Sequence, residues 1–128
     1  MKKLFLTTIL SIFALVTFAA GEAEIKFEKT SHNFGSFPET EKVTCTFKFT
    51  NTGDNLLVIH QAIASCGCTV PQYPKQPIKP GESGEIVVNY DGTGKFPGHF
   101  KKSITIRTNA KKEIVRLYIE GDMTPRTK

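Results

Sequence analysis

The stretch Val43-Thr44-Cys45-Thr46-Phe47-Lys48-Phe49-Thr50, followed by Asn51-Thr52-Gly53-Asp54-Asn55, decides the fold. Val43, Cys45, Phe47 and Phe49 alternate with Thr44, Thr46, Lys48 and Thr50. A period of two gives a strand with one apolar and one polar face. The residues after it form a turn, because Asn, Gly and Asp tolerate positive φ. The same period recurs on both sides. Ile25 and Phe27 make a short first strand; Ile86, Val88 and Tyr90 alternate with Val87 and Asn89. Ile104 and Ile106 alternate with Thr105 and Arg107, and Val115, Leu117 and Ile119 with Arg116, Tyr118 and Glu120. Leu56 to Ala64, an apolar run broken only by His60 and Gln61, reads by its length and β-branched content as a buried strand, with a short helix as the alternative that periodicity alone leaves open.

Breakers separate these runs. Pro71, Pro74, Pro77 and Pro80-Gly81 fill residues 71–81, and proline cannot donate to a central ladder, so this segment is a loop or an edge strand. Asp91-Gly92-Thr93-Gly94 and Asn109-Ala110-Lys111-Lys112 mark two further turns. Seven short strands without a helical segment, over about 100 residues, predict an all-β fold: an Ig-like antiparallel β-sandwich. Phe34, Phe37, Phe47, Phe49 and Phe100 are its expected core. With no Trp in the chain, an antibody-type core centred on Trp is excluded. Gly35 between Phe34 and Phe37 predicts a bulge or kink.

The first 20 residues read as a signal peptide: basic Lys2 and Lys3, the uncharged apolar run Leu4–Phe18, then the small residues Ala19-Ala20-Gly21. The run is about 15 residues, shorter than the roughly 20 that span a bilayer. The expected organisation is therefore a signal peptide over 1–20, a sandwich over 21–121 and a polar tail over 122–128. The 128 residues carry 17 Lys and Arg against 12 Asp and Glu, net +5. Removing residues 1–20 leaves 108 residues with 15 basic and 12 acidic side chains, net +3. Much of the apparent basicity belongs to the targeting segment. The expectation is an exported protein, periplasmic or extracellular, with its cysteines in an oxidising compartment. Other envelope proteins are the expected partners; no nucleic acid and no membrane span after signal cleavage are expected.

Further blocks add to this pattern: Ser31-His32-Asn33-Phe34-Gly35-Ser36-Phe37, Phe47 to Gly53, Leu57-Val58-Ile59, Ser65-Cys66-Gly67-Cys68-Thr69, Ile78 to Gly84, Gly98-His99-Phe100 and Ile119-Glu120-Gly121. Together they resemble the bacterial domain-of-unknown-function family DUF1573, across residues 25–121. Ser-Cys-Gly-Cys-Thr is the most specific block. The resemblance implies an Ig-like sandwich, similar to major-sperm-protein domains and to ciliary and cell-surface Ig-like repeats. It implies no established biochemical role. Cys45 lies outside the family motif.

The cysteines carry the chemistry. Three single bridges are open: Cys45–Cys66, Cys45–Cys68 and Cys66–Cys68, each leaving one thiol. Cys45 begins one strand and Cys66 follows the end of the next, so antiparallel strands bring both to one end. A Cys66–Cys68 bridge needs Cα atoms within about 6.8 Å, which the freedom of Gly67 assists. A second reading is metal binding: two thiolates at this spacing suit Cu(I), with His60 as a third ligand. A zinc site wants three or four ligands and is not supplied. A third is thiol–disulfide exchange, although the usual redox motif has two intervening residues in a βαβ context.

His32, His60 and His99 are far apart in sequence. There is no Gly-rich phosphate loop, no His-Glu-x-x-His and no Gly-x-Ser-x-Gly. No catalytic residue and no cofactor is assigned. Lys101-Lys102 and Lys111-Lys112 flank one hairpin and are expected to form a solvated basic end. The expectation is a non-enzymatic structural or protein-interaction module, with copper binding or thiol chemistry at Cys66 and Cys68 as the alternative.

Overall fold

A computed structural model describes residues 21–125. The signal-peptide assignment and residues 126–128 lie outside the described residues. Eight strands run in the order β1 (Ile25–Phe27), β2 (Ser31–Pro38), β3 (Lys42–Asn51), β4 (Ile59–Ala64), β5 (Thr69–Gln72), β6 (Ser83–Asp91), β7 (Gly98–Thr108) and β8 (Ile114–Thr124). They form two four-stranded sheets, β1-β3-β6-β5 and β2-β8-β7-β4. Phe47, Phe49, Ile86 and Val88 from the first sheet meet Ile104, Ile106, Leu117 and Ile119 from the second, all fully buried. The expected Ig-like sandwich is the observed fold, with one strand more than the sequence reading assigns.

The extra strand arises from a phase change. Ile25 and Phe27 are the inward positions of β1, at odd numbers; His32 and Phe34 are those of β2, at even numbers. A strand keeps one parity on one face. The chain therefore leaves the first sheet at Glu28–Thr30 and joins the second. There β2 runs parallel to β8, from Ser31 opposite Tyr118 to Pro38 opposite Thr124. The sandwich is thus antiparallel except for this pair. Parity shifts once more at Gly35, whose φ is +70° and where the β2–β8 register slips. This is the bulge that the sequence indicates, and the Asn33 side chain accepts a hydrogen bond from the Gly35 amide at 2.8 Å.

Three expectations need correction. Leu56–Ala64 is not a buried strand: β4 begins at Ile59, and Leu57 and Ile59 are buried but Ile63 is 49% exposed. It is an edge strand of the second sheet, and a bulge between Ile59 and Gln61 rotates its pattern. The polar tail starts later than residue 122, because β8 continues to Thr124 and Met123 is buried against the core. Lys101 and Lys102 lie mid-strand opposite Glu120 and Ile119, whereas Lys111 and Lys112 sit in the β7–β8 turn. The two pairs are separated by most of β7 and form no common end. Phe37, Phe47, Phe49 and Phe100 are core residues as expected, while Phe34 is half-buried at its margin.

Candidate functional site

The cysteines lie where β4 hands the chain to β5. Cys66 and Cys68 are joined in a disulfide with Cα atoms 5.3 Å apart, and the Thr69 amide closes the turn on the Cys66 carbonyl at 3.2 Å. Cys45 is free and buried. Ladder geometry explains why it takes no part. Cys68 opposes Asp91, which opposes Lys42, three residues before Cys45. Two strand spacings of about 4.8 Å and three residues of about 3.3 Å separate the two sulfurs' backbones. Burial pushes the Cys45 thiol up to about 11, with Lys29 opposing weakly, so it stays protonated at neutral pH.

His60 does not join the cysteines. It is exposed on β4, four residues before Ala64, a span of about 13 Å. It lines a concavity of about 380 Å³ with Gln61, Arg107 and Ile114, whereas Gly67 and Cys68 line another of about 510 Å³ with Val70, Lys42 and Asp91. Among the described residues, no three His, Cys, Asp or Glu side chains are placed to hold a metal ion. Asp91, hydrogen-bonded by the side chain and the backbone of Thr93, is held below the usual carboxylate range. His32 packs edge-on against Phe34, and burial, reinforced by Lys29, holds its pKa low. His99 sits between Asp122 at 3.1 Å and Glu120 at 3.5 Å on the opposite end of β7 from His60's partners. The three histidines remain apart.

The sheet edges separate what is closed from what is open. In an antiparallel ladder alternate residues turn N–H and C=O outward. On β5 the Asp91 amide bonds the Cys68 carbonyl at 2.9 Å, which makes Thr69 and Pro71 the outward residues. The Thr69 amide is already held by Cys66, and Pro71 has none. The disulfide turn and the proline together blunt this edge.

On β4 the Ser65 amide bonds the Ser103 carbonyl at 2.9 Å, so Ala62 and Ala64 face outward. The segment after β5 covers only the first part of that edge. Leu57 and Ile78 exchange two backbone bonds of 2.8 Å, and the Tyr73 hydroxyl donates to the His60 carbonyl at 3.2 Å. Beyond His60, among the described residues, no hydrogen bond reaches the outward backbone groups of Ala62 and Ala64, and Ile63 between them is 49% exposed. Sequence reading missed this site because openness depends on where the loop over 73–78 comes to rest. Asn51 was missed as well. The pattern Asn51-Thr52-Gly53 predicts a turn residue, yet Asn51 is fully buried, and its Nδ2 donates to the Asn55 and Ile78 carbonyls at 2.7 and 2.9 Å.

Two four-stranded sheets, a first strand split between them and a parallel terminal pair define an Ig-like β-sandwich. The chain belongs to DUF1573, a protein family of unknown function, whose pattern matches residues 25–123. Among solved structures it is similar to a protein of unknown function from Porphyromonas gingivalis W83, at 18% identity and TM-score 0.67, over 80% of this chain and 47% of that one. The chain thus spans about half the length of that protein. It is also similar to the ASH/PapD-like domain 7 of human CEP192, at 10% identity and TM-score 0.67, over 83% and 89% of the two chains. The periplasmic chaperone SfaE follows at 12% identity and TM-score 0.59, over 82% of this chain and 61% of its own. Among curated proteins, none matches the sequence. Among the described residues, no helix is long and apolar enough to cross a membrane.

Proposed function

We propose that this protein is an exported, non-enzymatic interaction module of the cell envelope that receives a strand of another protein on β4. The single observation that carries the reading is the half of β4 from Ala62 to Ala64, whose outward backbone groups have no hydrogen-bond partner among the described residues. An unpaired edge is a template for main-chain hydrogen bonding, and pockets for alternate side chains add selectivity. Of the other edge strands, β5 is blunted by Pro71 and the Cys66–Cys68 turn, β1 is only three residues long, and β2 is broken by the bulge at Gly35, which leaves β4 the best suited to pairing. The basic and apolar run over residues 1–18 and a disulfide at the surface support export and removal of about the first 20 residues.

The experiment places a photoactivatable benzophenone side chain at Ile63, and separately at Lys48 on the other sheet, in the full chain expressed in its native envelope. A discrete heterologous adduct at Ile63 with none at Lys48, on protein found outside the cytoplasm with an N-terminus near residue 21, is expected. Equal labelling at both positions, or intact Met1 protein in the cytoplasm, overturns the reading.

A further inference from the structure

Beside the open half of β4 the outer face of the second sheet is cationic. Gln61 opposes Arg107 on β7, which opposes Ile114 on β8; in the next row Ile63 opposes Thr105, which opposes Arg116. Two guanidiniums and two exposed isoleucines, Ile63 at 49% and Ile114 at 41%, therefore share adjacent rows. Among the described residues neither Arg107 nor Arg116 has an ion-pair partner. The carboxylates of this face are committed further along, where Glu120 and Asp122 flank His99 and Lys101 lies 5.2 Å from the Tyr118 ring centroid. Glu113 lines the same concavity as Arg107 but forms no ion pair with it.

We propose that this face docks an extended acidic segment of another protein. Ala62 and Ala64 supply the main-chain bonds, Ile63 receives an apolar side chain, and Arg107 takes a carboxylate in the concavity of about 380 Å³ that it lines. The proposal rests on the reading that β4 accepts a strand and adds the chemistry of that strand. Guanidinium is the group suited to a carboxylate, because its planar fork matches both oxygens. A second copy of this chain fits poorly: its β4, Ile-His-Gln-Ala-Ile-Ala, carries no carboxylate to meet Arg107, and pairing would only widen the cationic face.

The test measures fluorescence anisotropy with labelled peptides of alternating glutamate and valine, against counterparts with threonine or lysine in place of glutamate. The acidic peptide is expected to bind at least about tenfold more tightly than the lysine peptide and to weaken with added salt, since exposed charges are screened. Arg107→Glu should cut its affinity about tenfold and Arg107→Lys less, because ammonium keeps the charge and loses the fork. Ala62→Pro, which removes an outward N–H and no ladder bond, should abolish binding. Equal affinity for the three peptides, lost on Ala62→Pro, overturns the acidic preference and leaves the edge reading standing. Binding that Ala62→Pro leaves unchanged overturns the edge reading too. No binding of the acidic peptide overturns the proposal, as does sedimentation as a dimer that Ala62→Pro dissolves.

Discussion

The Tyr90 and Phe100 rings stack across the sandwich, centroids 4.1 Å apart and planes within 8°, one from each sheet. Phe37 meets both edge-on at 6.3 and 5.8 Å, and the Tyr90 hydroxyl reaches the Met123 sulfur at 3.9 Å. This cluster closes the end of the core beneath the disulfide turn. Phe100→Ala should destabilise the fold by about 3–5 kcal/mol. A double-mutant cycle with Tyr90→Ala should return a coupling of about 0.5–1.5 kcal/mol for the ring pair. Denaturant unfolding measures both, and additive losses would show the stacking to be mere area burial.

Asn51 ties three segments with one side chain. Its Nδ2 serves two carbonyls, and its Oδ1 accepts from the Gly53 amide at 3.0 Å. Asn51→Ala leaves these groups without partners in a buried place, and a loss on the order of 3 kcal/mol is expected. Asn51→Asp keeps the shape but replaces the donor with an acceptor facing two carbonyls, and should cost at least as much. Equal stability of either variant with the parent in urea would remove Asn51 from this role.

Cys45 makes stability pH-dependent on the alkaline side. Its folded pKa is raised from 9.0 to about 11, chiefly by burial. Between those values the folded state holds a proton that the unfolded chain has released. The contribution is therefore complete below about pH 9 and is lost as pH rises toward 11. Cys45→Val should flatten this part of the stability curve relative to the parent. Cys45 should also resist iodoacetamide at neutral pH until the chain is unfolded.

Pro71 guards β5. Pro71→Thr restores an outward N–H at a position whose neighbour Val70 is 52% exposed. Thermal stability should change by less than about 1 kcal/mol, because no ladder bond is gained or lost. Self-association, followed by light scattering against protein concentration, should rise. A monodisperse variant would show that the disulfide turn alone protects this edge.

The alternation of Val43 to Thr50, the prolines over 71–80 and the glycine at 35 carry the fold in their own chemistry, and strands, edge and bulge follow from them. The cysteine pairing was legible only as a set of three choices. Which one forms depends on β6 lying between β3 and β5, a long-range arrangement that no local pattern encodes. The sheet switch after Phe27 is written in the parity of His32 and Phe34, yet it is readable only once their partners are known. The open edge and the Arg107 face were not legible, because each needs the register of β4 on β7 and the resting place of Tyr73. Phe96, 95% exposed, shows the same limit: an aromatic in a turn gives no sign of its side in advance.

The parallel pairing of β2 with β8 has a mechanical consequence. Tension applied through residues 30 and 125 pulls β2 from its first residue and β8 from its last, in opposite directions along strands that point the same way. The pairs from Ser31–Tyr118 to Pro38–Thr124 are then loaded together in shear. Tension through Gly98 and Met123, a matched pair at the open end of the β7–β8 hairpin, unzips its bonds one after another. Single-molecule force spectroscopy should find the first geometry to rupture at the higher force. A domain held at residues 30 and 125 is thus a stiff link, and its weakest direction lies across the hairpin.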